Sequence, residues 1–415
     1  MTEMNRKAGK GGSLPEGWRE VRLGDVCAID NATLSSKTPH DYRFEYISLS
    51  DVQSGQLIQT KEFSFFEAPL RARRIAKRGD VLLSTVRPNL QGFYIFRNTV
   101  KDCIVSTGFA VLTPKPNLLD SGYLFQILFS RYMLSMYRSF NVGSNYPAIN
   151  SLDVKNFNIV IPTVKRQKSI ASLLATWDTA IEKTEALIAA KQKQFKWLLK
   201  TLISDQQNNP EWRKVALKNA CEIITSPVDK KTVDGELPVK LCNYTDVYYN
   251  NTIDSTIKFM SATAKPQEIE KFSIVQDDVI ITKDSETPSD IGVPAYVEET
   301  MNNLLCGYHL TILRPKKHIL GKYVCYALAS PRAKYEFYRF ANGITRFGLT
   351  SESYQKIEIL IPPLPEQHNI SWILDVGKKE ISLLKNLAES YRIQKRGLMQ
   401  KLLTGEFERV EDSYF

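Results

Sequence analysis

The chain repeats itself. Trp18-Arg19-x-Val21-x-Leu23, followed by Cys27 and Ile29, returns as Trp212-Arg213-x-Val215-x-Leu217, followed by Cys221 and Ile223. Asp51-Val52 returns as Asp246-Val247, and Gly79-Asp80-Val81-Leu82-Leu83 as Asp277-Asp278-Val279-Ile280-Ile281. Residues 143–204 align with 343–404 at a constant offset of 200, without a gap. Of those 62 paired positions 13 are identical, against roughly 4 expected by chance at ordinary composition. Ile159-x-Ile161-Pro162 pairs with Ile359-x-Ile361-Pro362, and Gln167-x-x-Ile170-x-x-x-Leu174 with Gln367-x-x-Ile370-x-x-x-Leu374. Self-similarity this long limits the 415 residues to two copies of one plan.

Each copy has two parts. The first, about 14–162 and 210–362, is mixed and strand-rich. Val81-Leu82-Leu83, residues 93–96, 110–112 and 158–161 read as buried strands. Residues 124–140 and 322–340 each read as one aromatic-rich amphipathic helix. A proline, Pro162 or Pro362, marks the end of each mixed part, where proline suits a helix start. The second part is a long helix, about 165–203 and 365–403. Positions 170, 174, 177, 181, 184, 188, 191, 195, 198 and 202 follow a 4-3 spacing and are mostly apolar, as are their partners from 370 to 402. A 3.5-residue period predicts a coiled-coil seam.

Connectivity predicts the arrangement. A helix over 165–203 is roughly 58 Å long, while the link from Ile203 to Trp212 reaches about 30 Å at most. The second module is therefore expected at the far end of the first helix, with the second helix returning antiparallel. The fold class expected is α+β: two similar mixed α/β modules separated by an antiparallel two-helix coiled-coil spacer, a tandem repeat with pseudo-two-fold symmetry. The boundaries expected are a disordered leader over 1–13, a module over 14–163, a helix over 164–204, a module over 205–363, a helix over 364–405 and a tail over 406–415.

Lys and Arg total 55 against 45 Asp and Glu, a formal charge of +10 with pI near 9.1. Two basic modules on a rigid spacer suit a linear polyanion whose helical repeat is about 34 Å. Arg71, Arg73, Arg74, Lys77 and Arg78 precede the strand at Val81, and Arg87-Pro88-Asn89 follows it. Lys283 follows the equivalent strand of the second copy. The loops containing Ser144, Asn145 and Tyr146, and Asn342, Thr345 and Arg346, stand at matching places before each final strand. Their amides, hydroxyls and guanidinium can read base edges. The charge run over 71–78 suits phosphates.

Other classes lack their signatures. No G-x-x-x-x-G-K-[ST] is present, nor a glycine-rich turn after a strand with an acidic residue at dinucleotide spacing. No Asn-Pro-Pro-aromatic stretch for base methylation occurs; Ile361-Pro362-Pro363-Leu364 opens a helix. Asp80, Asp278 and Asp284 lie near strands without the pairing a two-metal nuclease needs. The six cysteines form no C-x-x-C, and the four histidines are scattered, so no metal site is expected. Cys27 and Cys221, at matching positions, read as core residues. No apolar run approaches the ~20 residues of a membrane span, and the first twelve residues lack the apolar region of a signal peptide; a soluble, cytoplasmic protein without a membrane partner is expected. A scaffold joining two proteins without DNA, and a self-sufficient methyltransferase, are the competing readings.

The chain resembles the specificity subunit of Type I restriction-modification systems over essentially its whole length. The resemblance rests on Leu14-Pro15-Glu16-Gly17-Trp18, Leu23-Gly24-Asp25-Val26 and Gly79-Asp80-Val81-Leu82-Leu83-Ser84. It rests further on Ile361-Pro362-Pro363-Leu364-Pro365-Glu366-Gln367 and Lys401-Leu402-Leu403-Thr404-Gly405. It implies two target recognition domains, each reading half of a split sequence in double-stranded DNA. It also implies helices that act as a ruler and dock two modification (methyltransferase) subunits, to which restriction subunits bind. On those helices Gln167, Trp177, Phe195, Gln367 and Tyr391 are the expected partner contacts. The chain itself is then non-catalytic and without a cofactor, AdoMet, ATP and Mg²⁺ belonging to partner subunits. The first copy departs from the pattern at Thr163-Val164-Lys165-Arg166, where Lys165 and Arg166 could change a partner contact, and the second at Asp277-Asp278.

Overall fold

A computed structural model of the chain describes residues 14–97, 103–139 and 148–406. The chain divides into two compact units, Met1–Thr184 with Leu387–Phe415, and Glu185–Asn386. Each contains one mixed module and a half of each long helix.

In unit one, two four-stranded sheets carry the module. One orders Cys27–Ile29, Phe109–Pro114, Val81–Ser84 and Phe93–Ile95, all antiparallel. The other orders Lys61–Ser64, Arg43–Ile47, Cys103–Ser106 and Ala72–Ala76, with a parallel pair at its centre. Val81–Ser84 is buried along its whole length, as an unbroken apolar run requires. Unit two repeats the scheme. Cys221–Thr225, Leu310–Pro315, Val279–Thr282 and Pro294–Val297 form the first sheet, extended by Thr252–Ile253. Met260–Ala264, Leu237–Cys242 and Leu304–Cys306 form the second, again with a parallel pair.

The two most similar segments of the repeat pair with each other. Arg19–Arg22 runs antiparallel to Asn158–Ile161, with Arg19 opposite Ile161 and Val21 opposite Ile159. Arg213–Ala216 pairs with Glu358–Ile361 in the same register, Arg213 opposite Ile361. The first strand of each module thus closes on its last, directly before the long helix. A buried tyrosine pins each closure: Tyr123 donates to the Val160 carbonyl at 3.1 Å, and Tyr323 to the Leu360 carbonyl at 2.7 Å.

The aromatic helix expected over 124–140 is two helices, Ser121–Leu128 and Arg131–Ser139. That over 322–340 is likewise two, Gly321–Ala329 and Pro331–Phe340. Ser330 causes the second break by capping the new helix, its hydroxyl accepting from the Ala333 amide, and Pro331 takes the first helical position, where its missing N–H costs nothing. Ser130 does the same for Met133 at 3.3 Å.

The long helices run Val164–Leu202 and Leu364–Leu403. Every position of the 4-3 pattern on both is buried or half-buried. In unit one Ile170 and Leu174 share a core with Met399, Leu402 and Leu403, and Trp177 meets Tyr391 edge to face at 5.8 Å. In unit two Leu199 and Ile203 share a core with Ile370 and Leu374, and Lys191 pairs with Glu380 at 2.8 Å. Within each unit the helix segments are therefore antiparallel, and the fold is the α+β class read from the sequence.

The glycine–aspartate departure between copies has a backbone reason. Gly79 sits at φ +93 and Asp277 at φ +72, a left-handed turn that aspartate tolerates better than most residues. The Asp277 carboxylate then accepts from the Gly321 amide at 3.0 Å. All six cysteines are buried, and burial pushes the thiols of Cys27 and Cys221 up to about 12, so both are core residues. Among the described residues no helix is long and apolar enough to cross a membrane.

Candidate nucleic-acid interface

One end of each module is built from three chain segments on a shared backbone frame. In unit two the strand Val279–Thr282 runs out at Lys283, whose amide donates to the His309 carbonyl at 2.9 Å. The Lys283 carbonyl in turn accepts from the Leu349 amide at 2.9 Å. In unit one the Thr85 amide donates to the Gly108 carbonyl at 2.8 Å, and its carbonyl accepts from the Ile149 amide at 2.9 Å. Thr85 and Lys283 are therefore equivalent. In both modules the segment after the buried strand, a strand-to-strand turn and the segment before the last strand are tied together.

The frame of unit two carries a dense polar and aromatic cluster. Asp284–Ser285 pairs with Phe347–Gly348, which pairs in turn with Asn342–Gly343. Asn342, Ile344, Thr345 and Arg346 are exposed on this hairpin, Ile344 at 93%. Asp284 lies beneath it, with His309 Nδ1 at 2.9 Å and Arg346 Nη2 at 3.4 Å. Lys283 Nζ stands 4.3 Å from the centre of the Tyr308 ring, which meets the His309 ring edge to face at 4.9 Å. In the same unit Tyr244 stacks on Tyr248 at 5.4 Å, and Tyr249 stands perpendicular to Tyr248 at 5.0 Å. The Tyr248 hydroxyl donates to Asp290, a bond that pushes it up to about 12. Cations, hydroxyls and exposed rings in one place are the groups that meet phosphates, base edges and unstacked bases.

The same frame in unit one bears different side chains. Val86 stands where Asp284 does, and Thr107-Gly108 where Tyr308-His309 does. Arg87 and Asn89 are exposed on a tight turn, Pro88–Leu90, flanked by left-handed Arg87 (φ 49) and Gln91 (φ 57). Ser144, Asn145 and Tyr146 lie outside the described residues.

The basic run before the strand divides by strand alternation. Arg71 and Lys77 are exposed. Arg73 lies half-buried, 4.8 Å over the Phe65 ring, and donates to the Ala72 carbonyl at 2.8 Å. Arg74 faces inward, unlike its neighbours in the run. It pairs with Asp30 at 2.9 Å with only 16% of its side chain exposed, and donates to the Phe109 carbonyl. Burial depresses its pKa against the pull of Asp30. Arg346 and Asn342 stand on the hairpin whose strand pairs with Asp284–Ser285, next to Lys283, and the Asn342 amide is engaged by the Phe340 carbonyl at 3.0 Å. Asp284, Tyr308, His309 and Tyr248, which join this cluster, are not singled out as site candidates by the sequence. The available signal is a Tyr-His pair in a strand-to-strand turn.

The helix residues expected to touch partners have internal tasks. Gln167 is fully buried, accepts from the Asp120 amide at 2.8 Å and donates to the Leu118 and Pro162 carbonyls at 3.0 and 2.9 Å. Gln367 repeats this with Leu320, His318 and Pro362 at 2.9, 3.1 and 2.9 Å. Both N–H donors of each amide are spent and neither side chain reaches the surface, so the two glutamines join module to helix. Trp177 and Tyr391 pack on each other, and Phe195 packs on Tyr326 at 6.4 Å. Glu366, in the motif that opens the second helix, accepts from the Trp212 indole at 3.0 Å. Among the described residues no group of three or more His, Cys, Asp or Glu is placed to hold a metal ion.

A family model described as the Type I restriction modification DNA specificity domain matches residues 15–191 and again 209–390. A putative type I restriction enzyme MjaX specificity subunit from Methanocaldococcus jannaschii is 23% identical, covering 97% of both chains. The MjaVIII specificity subunit of that organism is 23% identical over 100% of this chain and 98% of its own. Among solved structures, a chain from a study of assembly and conformational transition in the type I R-M system has a TM-score of 0.61 at 22% identity. The match covers 95% of this chain and 100% of that one. The S subunit from M. genitalium has a TM-score of 0.58 at 14% identity, covering 95% and 97%.

Proposed function

We propose, since the chain belongs to the Type I restriction-modification DNA specificity family, that its two modules each read one half of a bipartite, asymmetric duplex target. The chain is a specificity subunit, recognises DNA by sequence and is not itself an enzyme. The observation that carries the bipartite reading is the shared frame with unlike side chains. Thr85, Val86 and Gly108 in one module correspond to Lys283, Asp284 and His309 in the other. Different donor and acceptor patterns on equivalent frames select different bases.

The long helices are the docking surface for modification subunits in this reading, with restriction subunits joining through them. Its support is an apolar row on the second helix in unit two. Trp372, Val376 and Leu383, four and seven residues apart, are 66%, 50% and 59% exposed, and such spacing places them on one face. AdoMet, ATP and Mg²⁺ are assigned to the partner subunits. The helices also set the unspecified gap between half-sites.

Methylome sequencing of a host carrying the complete system tests this directly. Two unlike half-sites separated by a fixed gap are expected, and a continuous or palindromic motif refutes the reading. Inserting about one heptad in both helices should lengthen the gap by about 3 base pairs and leave the half-sites unchanged.

A further inference from the structure

Asp284 is a carboxylate set among groups that face a polyanion in the reading above. Its place is not demanded by the fold, because Val86 occupies the equivalent position of unit one on the same backbone frame. Its pairing with Arg346 adds little to stability, since that side chain is 64% exposed. Asp284 itself is held from three sides. Its strand pairs with Phe347–Gly348, its side chain is only 16% exposed, and His309 Nδ1 lies 2.9 Å from Oδ2, leaving Oδ1 toward Arg346. A fixed acceptor thus meets the end of a long side chain near a hairpin tip. Arginine has five N–H donors, so this bond leaves a fork available.

We infer that Asp284 is a positioning residue that holds Arg346 in its reading orientation, so that the half-site of the second module contains a guanine recognised through this pair. The inference rests on the reading that the hairpin end of unit two meets DNA. An arginine fork matches O6 and N7 of guanine in the major groove and no other base edge so well. A free arginine scans neighbouring phosphates as readily as bases. Restraint by Asp284 withdraws it from phosphates and makes its contact conditional on the base. The carboxylate also disfavours approach to the backbone where that base is wrong.

The test is selection from a library of randomised duplexes by the full-length chain, with the bound fraction sequenced. The wild-type chain should select a split motif with a guanine in one half. Arg346→Ala and Arg346→Lys should both lose that guanine by about tenfold or more, the second because lysine keeps the charge without the fork. Asp284→Asn should lose the preference at the same position by a similar factor, and binding to random duplex should rise because a negative charge has gone. Asp284→Glu should recover part of the preference, which a purely structural role does not predict. Retention of the guanine by Asp284→Asn, folded as judged by its melting curve, overturns the inference while the hairpin remains a reading surface. Retention by Arg346→Lys overturns it equally. No change in either half-site with Arg346→Ala instead refutes the placement of the reading surface itself.

Discussion

The wholly buried carboxylate of Asp278 accepts two hydrogen bonds from Arg314, from Nε and Nη2, each at 2.9 Å. At the equivalent point of the first module Asp80 accepts from the Thr113 hydroxyl at 2.7 Å. Both carboxylates also bind the amide three residues upstream, Lys77 or Val275, which turns the chain into the buried strand. One turn is thus stabilised by a charged pair in one copy and a neutral donor in the other. Breaking a buried pair strands the surviving charge. Arg314→Met should destabilise unit two by about 3 kcal/mol, at the lower end for such pairs because the guanidinium is one-third exposed. Thr113→Val should cost unit one about 1 kcal/mol. Urea unfolding of each variant checks the ranking.

Asp80 also predicts a pH effect. Burial raises its pKa above the ordinary 3.8, against the hydrogen bonds from Lys77 and Thr113 that lower it. A carboxyl raised on folding favours the folded state while protonated and loses that contribution as pH climbs through its folded value. From this group, acidification from neutrality toward the folded value stabilises unit one. The stability of Asp80→Asn relative to wild type, read in denaturation curves, should therefore fall as pH is lowered from neutrality toward that folded value.

Gln167 and Gln367 each make three hydrogen bonds that join a long helix to its module. Replacement by alanine leaves buried backbone groups without partners and should cost about 2–4 kcal/mol at either position. Binding of modification subunits should weaken only as far as folding does. Full stability with abolished subunit binding in a pull-down would return these residues to the docking surface.

Gly321 is fixed by Asp277. A Cβ there would lie 1.9 Å from the Asp277 carbonyl oxygen, within backbone that cannot yield cheaply. Gly321→Ala should lower the melting temperature of unit two severely. Gly235→Ala should cost only about 1 kcal/mol, since its left-handed φ of +88 is strained but nothing lies within 4 Å. Asp277→Gly, which restores the residue of the first copy, should be the mildest of the three.

The basic run should split in function. Arg71→Ala with Lys77→Ala should lower the salt slope of DNA binding by about 0.9 for each phosphate no longer neutralised, with the fold intact. Arg74→Ala should instead destabilise unit one, leaving Asp30 buried without its cation. Affinity measured at several salt concentrations beside thermal melts separates the two effects.

The duplication is legible because Trp18 and Ile159 lie in one core and Trp212 and Ile359 at the equivalent places of the other. The helix seam is legible because its period is local. The break at Ser330-Pro331 is present in the residues but outweighed by the apolar periodicity running through it. The inward turn of Arg74 is not legible in a count of charges, which ignores strand alternation: it adjoins Arg73, so the two face opposite sides. The cluster around Asp284 is hidden for another reason. His309 and Arg346 stand 25 and 62 residues away in sequence, and only strand pairing brings them together.

The core of unit one includes Met399, Leu402 and Leu403 beside Trp18 and Leu23, and Gly405 lies against Pro15 and Trp18. A polypeptide emerging from the ribosome folds from its amino end, at about 5–20 residues per second. The residues that complete unit one are supplied only after all of unit two, Glu185–Asn386, has been translated. The first module to be made is therefore the last to be finished, and its apolar docking surface around Trp18 stays open for roughly 10–40 seconds of synthesis. A chain interrupted before Met399 leaves that surface uncovered. The second long helix thus completes, last of all, the core that the amino-terminal residues begin.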